Sequence, residues 1–394
     1  MISALMPTYE RSELVVERGE GAYLFDTNGK RYLDFCAGIA VSALGHGHPH
    51  LIAALKEQAD KIWHCSNVYQ IPGGTRLAER LVAATFADSV FFGNSGAEAV
   101  ECGLKMIRKY YDDIGEPNRY RVISCEGSFH GRTFATVAAG GSEKLTKGFE
   151  PNLEGFDHVP FGNLNATRAA IGPDTAAILI EPIQGEGGIR AASKEYLEGL
   201  RAIADEFGLL LFFDEVQCGM GRTGKLFAHE WAGVTPDIMA VAKGLGGGFP
   251  IGACLAVEKY ARALTPGSHG STFGGNPLAM AVANAVLDVM LEDGFLAEVH
   301  EVAKVLHKEL AGVVQRHPKV LAEVRGVGLL AGLRCAAETI DNKSFQIKLR
   351  EFGLLTIGGG DNVARLLPPL TITSTHVDEA VAILDRTCEA FEAG

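Results

Sequence analysis

Short apolar runs alternate with amphipathic helical patterns through the middle of this 394-residue chain, and this alternation restricts the possible folds more than any other feature. The runs, in order, are SVFFGN (89–94), RVISCEG (121–127), AAILIEP (176–182), LLLFFDE (209–215), PDIMAVAK (236–243) and GACLAVE (252–258). Such alternation is typical of βαβ units and predicts an α/β fold on a mostly parallel, buried sheet. Ligands of these sheets bind beyond the carboxyl ends of the strands, so the residues that end the runs are candidates for a functional site.

The two ends of the chain show different patterns. Short alternating runs surround Asn28-Gly29, which is a strong signal for a β-hairpin. From about residue 276 onward, long amphipathic helices precede further short strands. We therefore predict a large domain of residues 50–275, and a smaller domain that combines residues 1–49 with residues 276–394.

Composition excludes several classes of function. A net charge of −12 argues against general binding to nucleic acid or to anionic membranes. The sequence has neither an apolar run of about 18 residues nor a basic leader followed by an apolar core, so we expect no membrane span and no signal peptide. The eight cysteines form no C-x-x-C pair, which argues against a structural zinc site and favours reduced thiols in the cytoplasm. No metal ion is expected, and we interpret the His46–His50 run (HGHPH) as a structural turn.

A glycine-rich segment, GMGRTGK, follows the most apolar strand and resembles two phosphate-binding motifs. A P-loop would need Ser or Thr after Lys225, where the chain has Leu226. In a dinucleotide-binding motif the first glycine follows the strand directly, but here five residues, 214–218, intervene and two of them are acids. Both interpretations stay open, although a surface loop with unusual backbone angles accounts for the glycines more simply.

Two strand ends together suggest a specific cofactor. Asp214 ends one apolar run and Lys243 ends the next, and a lysine delivered by a buried strand loses solvation and becomes nucleophilic. Pyridoxal 5′-phosphate needs a lysine for its aldehyde, where a Schiff base forms, and an acid for its pyridine nitrogen. Its phosphate needs a helix N-terminus, which Ser95-Gly96-Ala97 could provide.

Several motifs, in this order, resemble the class III (fold-type I) pyridoxal-phosphate-dependent aminotransferases nearly from end to end. They are LDFCAGIAVSALGHGHP, FGNSGAEAVECGLKMIRKY, FHGRTFATVAAGG, LIEPIQGEGG, LLLFFDEVQCGMGRTGKLFAHE, KGLGGGFPIGA, GSTFGGNPLA and ARLLPPLTIT. The resemblance implies a seven-stranded, mostly parallel sheet between helices, a smaller α+β domain from both termini, and a homodimer with shared active sites.

The resemblance also implies a role for each residue near the cofactor. Lys243 would form the Schiff base and move protons, while Asp214 would pair with the pyridine nitrogen. The ring would lie between Val216 and Phe129, and Gln217 would approach its hydroxyl group. Glu215 is included in the cofactor site with its neighbours, although without a specific role.

The phosphate would be bound by the backbone N–H groups of Gly96 and Ala97. Thr272 would reach the same phosphate from the other subunit of the dimer. Each active site would then need residues from two chains.

A second set of residues is implied for the substrate. Arg132 would bind a substrate carboxylate, because a guanidinium matches a carboxylate in two hydrogen bonds, and Ser271 of the neighbouring chain would assist. Arg365 would be the second arginine, and Glu181 the acid that masks it when no carboxylate is adjacent. Ile39 stands where ornithine aminotransferases have a tyrosine that helps to hold the head group of free ornithine, and isoleucine there favours an acylated amine over a charged one.

These features imply an ω-aminotransferase of arginine biosynthesis that acts on N-acetylornithine and 2-oxoglutarate and releases glutamate. Succinylornithine, N-succinyl-diaminopimelate, free ornithine and 4-aminobutyrate are alternative substrates within the same family. An ATP-binding or dinucleotide-binding protein is the alternative from another class.

Overall fold

The computed structural model describes residues 4–336 and 340–393 and arranges their strands in four sheets. The strands are β1 (Val16–Glu20), β2 (Tyr23–Asp26), β3 (Arg31–Asp34), β4 (Ser89–Gly93), β5 (Arg121–Cys125), β6 (Phe156–Val159), β7 (Thr175–Ile180), β8 (Ile183–Gln184), β9 (Arg190–Ala191), β10 (Leu210–Asp214), β11 (Ile238–Val241), β12 (Gly252–Ala256), β13 (Leu321–Val327), β14 (Leu330–Cys335), β15 (Leu354–Leu355), β16 (Ile357–Gly358) and β17 (Val363–Leu366).

Helices cover the faces of these sheets. They are α1 (Ala37–Ala40), α2 (Pro49–Ala59), α3 (Pro72–Ala83), α4 (Gly96–Asp113), α5 (Phe134–Gly140), α6 (Glu143–Thr146), α7 (Leu164–Ala169), α8 (Lys194–Phe207), α9 (Glu258–Ala261), α10 (Pro277–Met290), α11 (Phe295–Arg316), α12 (Asn342–Phe352) and α13 (Ser374–Glu392), with two 3₁₀ turns at Ala228–Trp231 and Lys243–Leu245. No helix in the described part of the chain has both the length and the apolar character needed to cross a membrane.

The largest sheet has seven strands in the order β4-β12-β11-β10-β7-β5-β6, and this confirms the predicted α/β fold. Its central strands are buried on both faces, which explains why they are apolar without alternation. Phe212 packs in the cluster on the α4 side of the sheet, and Phe213 packs in the cluster on the α8 side. Two successive phenylalanines therefore join the sheet to the helix layers on opposite faces.

One strand of this sheet, β12, runs antiparallel to both of its neighbours, β11 and β4. Only residues 242–251 connect β11 to β12, and a parallel arrangement would need a longer crossover connection. The chain turns back within this short segment, which contains Lys243 and a run of glycines. Because Lys243 lies just after β11, it is at the carboxyl-terminal end of the parallel strands β10 and β11.

The three smaller sheets include two of four strands, with the orders β1-β2-β3-β15 and β13-β14-β17-β16. The hairpin predicted around Asn28-Gly29 is present between β2 and β3, with Gly29 at a φ of +79°. The first of these four-stranded sheets combines strands from the two ends of the chain, because β15 pairs with β3 in parallel, and Leu367, just after the second, donates its backbone N–H to the carbonyl oxygen of Phe35 at 2.6 Å. The two ends of the chain are thus held together by backbone hydrogen bonds.

The glycine-rich segment after β10 packs between sheets. Arg222 is 1% exposed, and its Nη1 donates to the carbonyl oxygens of Leu329 (3.3 Å) and Pro368. Its own carbonyl accepts from the backbone N–H of Leu329 at 2.8 Å. A Cβ at Gly328 would lie 2.4 Å from Cα of Thr223, so the two backbones approach closely. The glycines serve this close packing between elements, and the segment does not line the cavity described below.

Candidate active site

A cavity of 310 Å³ opens at the carboxyl ends of the central strands. Several of the predicted cofactor residues line it, namely Gly96, Ala97, Phe129, Asp214, Val216, Gln217 and Lys243. The strand ends that the sequence singled out therefore meet in one place, as expected for a sheet of this type.

Lys243 is partly buried at this cavity and begins a 3₁₀ turn directly after β11. Burial, and next the positive charge of Arg365, lower the pKa of Lys243 to about 8. A larger fraction of its amine is therefore unprotonated near neutral pH than in an exposed lysine. Its φ of +46° is rare for a residue with a side chain, so the surrounding structure holds Lys243 in a costly conformation.

Asp214 faces the cavity from the end of β10 and is paired with a histidine. Its Oδ2 lies 2.8 Å from Nδ1 of His130, and its Oδ1 accepts from the backbone N–H of Val216 at 3.0 Å. Burial alone would lower the pKa of His130, but the hydrogen bond and charge of Asp214 raise it overall. Nε2 of His130 is buried and has no hydrogen-bond partner among the described residues.

His130 is a site residue that sequence patterns do not predict. The only available signal was its position in the SFHGRT segment, between the two predicted site residues Phe129 and Arg132. Its pairing with Asp214 joins residues 84 positions apart in the chain, so it becomes visible only once the fold brings them together.

The N-terminus of α4 forms the second wall of the cavity. Ser95 caps the helix by accepting from the N–H of Glu98 at 3.2 Å, while the Glu98 carboxylate accepts from the N–H of Asn94. The arrangement is a shifted form of a capping box, since the reciprocal bond goes to Asn94 rather than to Ser95. A Cβ at Gly96 would lie 2.7 Å from a methyl group of Val216, so only glycine fits against this side of the cavity. The first N–H groups of the helix remain available for an anion.

Arg365 is 1% exposed, and its partner differs from the predicted one. Its Nη2 lies 2.6 Å from Oε2 of Glu186, and its Nη1 donates to Oε1 of Gln217 at 3.2 Å. Glu181 does line the cavity, but its carboxylate accepts from the backbone N–H groups of Phe129 and Gly185. The assignment of Glu181 as the mask of Arg365 was therefore wrong, and Glu186 holds that position.

The difference between the two acids has a structural cause. Glu181 directly follows β7 and stays beside Phe129, whereas Glu186 lies on the turn between β8 and β9, which reaches β17. Burial raises the pKa of Glu181 to about 7, against an opposing effect of the charge on His130. Burial also lowers the pKa of Arg365, although the charge of Glu186 opposes that shift.

Glu215 is not part of the cavity, which corrects its inclusion in the cofactor site. Its carboxylate accepts from the backbone N–H groups of Ala228 (2.7 Å) and His229 (2.8 Å) and also contacts Nδ1 of His229. Asp214 and Glu215 are adjacent in sequence but point in opposite directions. Glu215 therefore anchors the 3₁₀ turn at Ala228–Trp231.

Besides Glu215 and Arg365, four predicted residues lie outside the cavity lining, namely Ile39, Arg132, Ser271 and Thr272. Arg132 is exposed, with its guanidinium 5.6 Å from the centre of the Phe129 ring. Ser271 Oγ accepts from Nδ2 of Asn94 at 3.1 Å within the same chain, and Thr272 beside it is exposed. Ile39 is half-buried at a φ of +66° and packs on the cluster that includes Ala40 and Cys218.

The cavity fits pyridoxal 5′-phosphate. It supplies a partly buried lysine, a buried carboxylate and a helix N-terminus for the phosphate. It also supplies an apolar side chain for the ring, that of Val216, which packs directly against Gly96 at this helix N-terminus. Each of these groups matches one functional part of that cofactor.

Comparisons with known proteins agree with this description. The profile of the family described as aminotransferase class-III matches residues 6–388. The acetylornithine aminotransferase of Mesorhizobium japonicum is 58% identical over 379 residues, covering 96% of this chain and 94% of that protein. The acetylornithine aminotransferase of Brucella melitensis is 57% identical over 388 residues, covering 98% of this chain and 96% of that protein.

Solved structures are similar over the same extent. The ornithine aminotransferase of Toxoplasma gondii superposes with a TM-score of 0.95 at 32% identity, covering 99% of this chain and 93% of that one. The N-acetylornithine aminotransferase of Stenotrophomonas maltophilia has a TM-score of 0.86 at 40% identity, covering 98% of both chains. The lysine and carboxylate of the cavity, the matching profile and these relatives together show that the chain belongs to the class-III aminotransferases, a family of pyridoxal-phosphate-dependent enzymes.

Proposed function

We propose that the enzyme transfers the terminal amino group of N²-acetyl-L-ornithine to 2-oxoglutarate, giving N-acetyl-L-glutamate 5-semialdehyde and L-glutamate, as a step of arginine biosynthesis. The observation that carries the reaction type is the juxtaposition of Lys243 and Asp214 in one buried cavity. The observation that carries the substrate is the group of relatives at 52–58% identity that are named acetylornithine aminotransferases.

The residues of the cavity divide the work of transamination. When bound, pyridoxal 5′-phosphate supplies an aldehyde that takes up the amino group and a ring that accepts electrons from the reacting carbon. Lys243 holds this group and, once its amine is free, moves the proton to and from the substrate carbon. Asp214, oriented by His130, keeps a proton on the ring nitrogen. The first N–H groups of α4, at Gly96 and Ala97, bind the phosphate.

The Glu186–Arg365 pair suits an enzyme with two unlike amino donors. When the terminal amine of N-acetylornithine reacts, the carboxylate of this substrate is far from the reacting carbon, so the ion pair can remain closed. Glutamate reacts at its α-amine and brings a carboxylate next to the reacting carbon, where Arg365 can bind it once Glu186 withdraws. Glu186 is 38% exposed while Arg365 is 1% exposed, so the acid is the partner that can move into solvent. We assign Arg132, with help from Ser271, to the distant carboxylate.

We also propose a homodimer in which Thr272 completes the phosphate site of the other subunit. Exposed apolar side chains surround this residue, namely Trp63, Val68, Tyr69 and Phe273, each 62–80% exposed. The ring of Phe273 contacts His64, and Asn67 donates to the carbonyl oxygens of Ser271 and Gly274, so the two segments form one apolar surface. Such a surface is typical of a protein interface.

Two further proposals concern organisation and location. We propose that residues 50–275 form the cofactor-binding domain, and that residues 1–49 and 276–394 together form a smaller domain. We also propose that the enzyme works in the cytoplasm, because all eight cysteines are free thiols, as expected in a reducing compartment.

The experiment that tests this function follows single half-reactions of the purified, cofactor-loaded enzyme. N-Acetylornithine, N-succinylornithine, ornithine, N-succinyl-diaminopimelate and 4-aminobutyrate are each mixed with the enzyme, and the loss of the cofactor's visible absorbance is timed. We expect kcat/KM for acetylornithine to exceed that for ornithine and 4-aminobutyrate by at least about tenfold. A clear preference for any other donor would overturn the assignment, and a Lys243→Ala variant provides the inactive control.

A further inference from the structure

Asp361 lies outside the cavity but forms the centre of a charged cluster next to it. Its Oδ2 lies 2.7 Å from Nη1 of Arg325 and 3.4 Å from Nη2 of Arg190, and its Oδ1 lies 3.8 Å from Nε of Arg334. Asp361 therefore faces three guanidinium groups, two of which, those of Arg325 and Arg334, also pair with Glu323. Arg190 belongs to β9, whereas Arg325 and Arg334 belong to β13 and β14, so the cluster joins two different sheets.

The cluster holds the turn that carries Glu186. Nη1 of Arg325, while paired with Asp361, also donates to the carbonyl oxygen of Gly188 at 3.2 Å. The backbone N–H of Gly360 donates to the carbonyl oxygen of Glu186 itself at 2.7 Å. A Cβ at Gly188 would lie 2.6 Å from the carbonyl oxygen of Gly360, so the turn is in close contact with the residues before β17.

The other partner of the ion pair is on the same side of this contact. Arg365 is four residues beyond Asp361, and its guanidinium donates to the carbonyl oxygen of Gly358 at 2.6 Å. Glu186 and Arg365 thus belong to two segments that meet at Asp361. Whatever fixes these segments also fixes the distance between the acid and the guanidinium.

We propose that Asp361 is a positioning residue that, through Arg190 and Arg325, holds Glu186 against Arg365 and so sets how readily Arg365 is released to a substrate carboxylate. This role rests on the proposed function, in which the pair is closed for acetylornithine and open for glutamate. Asp361 touches no substrate and acts only through the turn that carries Glu186.

The backbone at Asp361 determines which substitution isolates this effect. Its φ is +53°, and that of Asn362 is +56°, in the left-handed region that asparagine and aspartate tolerate better than other residues with side chains. Asp361→Asn therefore keeps the backbone conformation and the shape of the side chain while it removes the charge. A matched control is Asp385→Asn, because Asp385 pairs with Arg316 at 2.8 Å and its side chain is 28% exposed, compared with 30% for Asp361.

The experiment compares the two half-reactions in the cofactor-loaded wild type, Asp361→Asn and Asp385→Asn. We expect the ratio of kcat/KM for acetylornithine to that for glutamate to fall about fivefold in Asp361→Asn, as for the loss of a well-formed partly exposed ion pair. The same ratio should stay within about twofold of wild type in Asp385→Asn. Loss of general stability alone would change both half-reactions together.

A binding measurement separates this inference from the proposed function. Glutarate has two carboxylates and no amine, so it can occupy the site without reacting. Calorimetric titration should give a Kd about threefold lower in Asp361→Asn than in wild type, because Glu186 competes less for Arg365. If acetylornithine proves not to be the substrate, the glutarate result still tests the role of Asp361.

An unchanged ratio together with an unchanged glutarate Kd in folded Asp361→Asn protein would overturn the inference. Should that variant fail to fold, Arg190→Gln removes the other end of the contact at a side chain that is 45% exposed. It should shift both measurements in the same direction by a smaller factor, and wild-type behaviour of Arg190→Gln would then also overturn the inference.

Discussion

Nδ1 of His130 lies 2.8 Å from Oδ2 of Asp214, and each of the two residues is 3% exposed. His130 therefore fixes the orientation of the Asp214 carboxylate, which we assign to the cofactor nitrogen. His130 also compensates the buried negative charge of Asp214. Asp214 would otherwise keep only one hydrogen bond from the backbone, that of Val216.

Removal of His130, the partner of Asp214, should weaken cofactor binding and lower kcat. A His130→Ala variant leaves the Asp214 carboxylate buried with an unsatisfied oxygen, at a cost of roughly 1–3 kcal/mol. We expect kcat to fall by about tenfold or more and the apparent Kd for pyridoxal 5′-phosphate to rise. Both are measurable by absorbance titration and steady-state kinetics. His307→Ala is the control, since His307 is half-buried and bonds to the carbonyl oxygen of Gly328, away from the cavity; equal effects of the two variants would contradict the assigned role.

Lys243 should destabilise the cofactor-free protein in a pH-dependent manner. Its folded-state pKa of about 8 lies below the unfolded value of 10.5, so the unfolded chain binds more protons between these values. Below pH 8 Lys243 therefore costs stability, by up to about 3 kcal/mol, and this cost shrinks as the pH rises toward about 10.5.

A Lys243→Met variant removes the charge and keeps the length of the side chain. Its free energy of unfolding in urea should exceed that of the wild type by about 3 kcal/mol at pH 7 and by about half as much near pH 9.5. Both proteins must be free of cofactor for this comparison. A difference that is constant over this range would show that Lys243 has an ordinary pKa.

Glu186 is the acid to mutate in a test of the substrate switch. In Glu186→Ala the guanidinium of Arg365 is always available, so KM for glutamate should fall and kcat/KM for acetylornithine should fall several-fold. The measurement is the same pair of half-reactions. Glu181→Gln provides the contrast, because Glu181 bonds to Phe129 and Gly185 rather than to Arg365. If only Glu181→Gln changed the balance between the two donors, Glu186 would not be the mask.

Subunit mixing tests the shared active site. Lys243→Ala and Thr272→Asp chains should each be inactive alone, the second because a carboxylate repels the cofactor phosphate. A random mixture of the two should regain about a quarter of wild-type activity, since half of the dimers are mixed and each mixed dimer has one complete site. The control replaces the Thr272→Asp chain by one with both substitutions, which should recover nothing. The absence of recovery in a mixture shown to exchange subunits would argue against a contribution of Thr272 across the interface.

Ile39 should contribute to substrate choice. Its φ of +66° is less favourable for a β-branched residue than for tyrosine, so Ile39→Tyr adds no backbone strain. We expect this variant to gain at least about threefold in kcat/KM for free ornithine, because a hydroxyl group becomes available to its polar end. The half-reaction with ornithine measures this gain, and an unchanged rate would remove Ile39 from the account of specificity.

The strand-end residues could be predicted from the sequence, but their partners could not. Lys243 and Asp214 stood out because a polar group after a buried apolar run is unusual, and both line the cavity. His130 and Glu186 lie in loops whose sequence carries no periodic signal, and their contacts join distant segments. Glu215 was assigned to the site because it is adjacent to Asp214, yet successive residues of an extended chain point to opposite sides. The antiparallel course of β12 was likewise hidden, because its apolar composition matches that of its parallel neighbours.

The buried Arg222 joins the segment after β10 to the sheet that carries Arg365. Its guanidinium bonds to two carbonyl oxygens at one end of the antiparallel sheet that carries Arg365, those of Leu329 just before β14 and Pro368 just after β17. Pulling that sheet away from the end of β10 would strand a positive charge in an apolar interior, which costs several kcal/mol. The end of the sheet near Arg222 is therefore fixed to the segment after β10. The glycine-rich segment, whose spacing resembles a phosphate-binding loop, serves as the attachment point of that sheet.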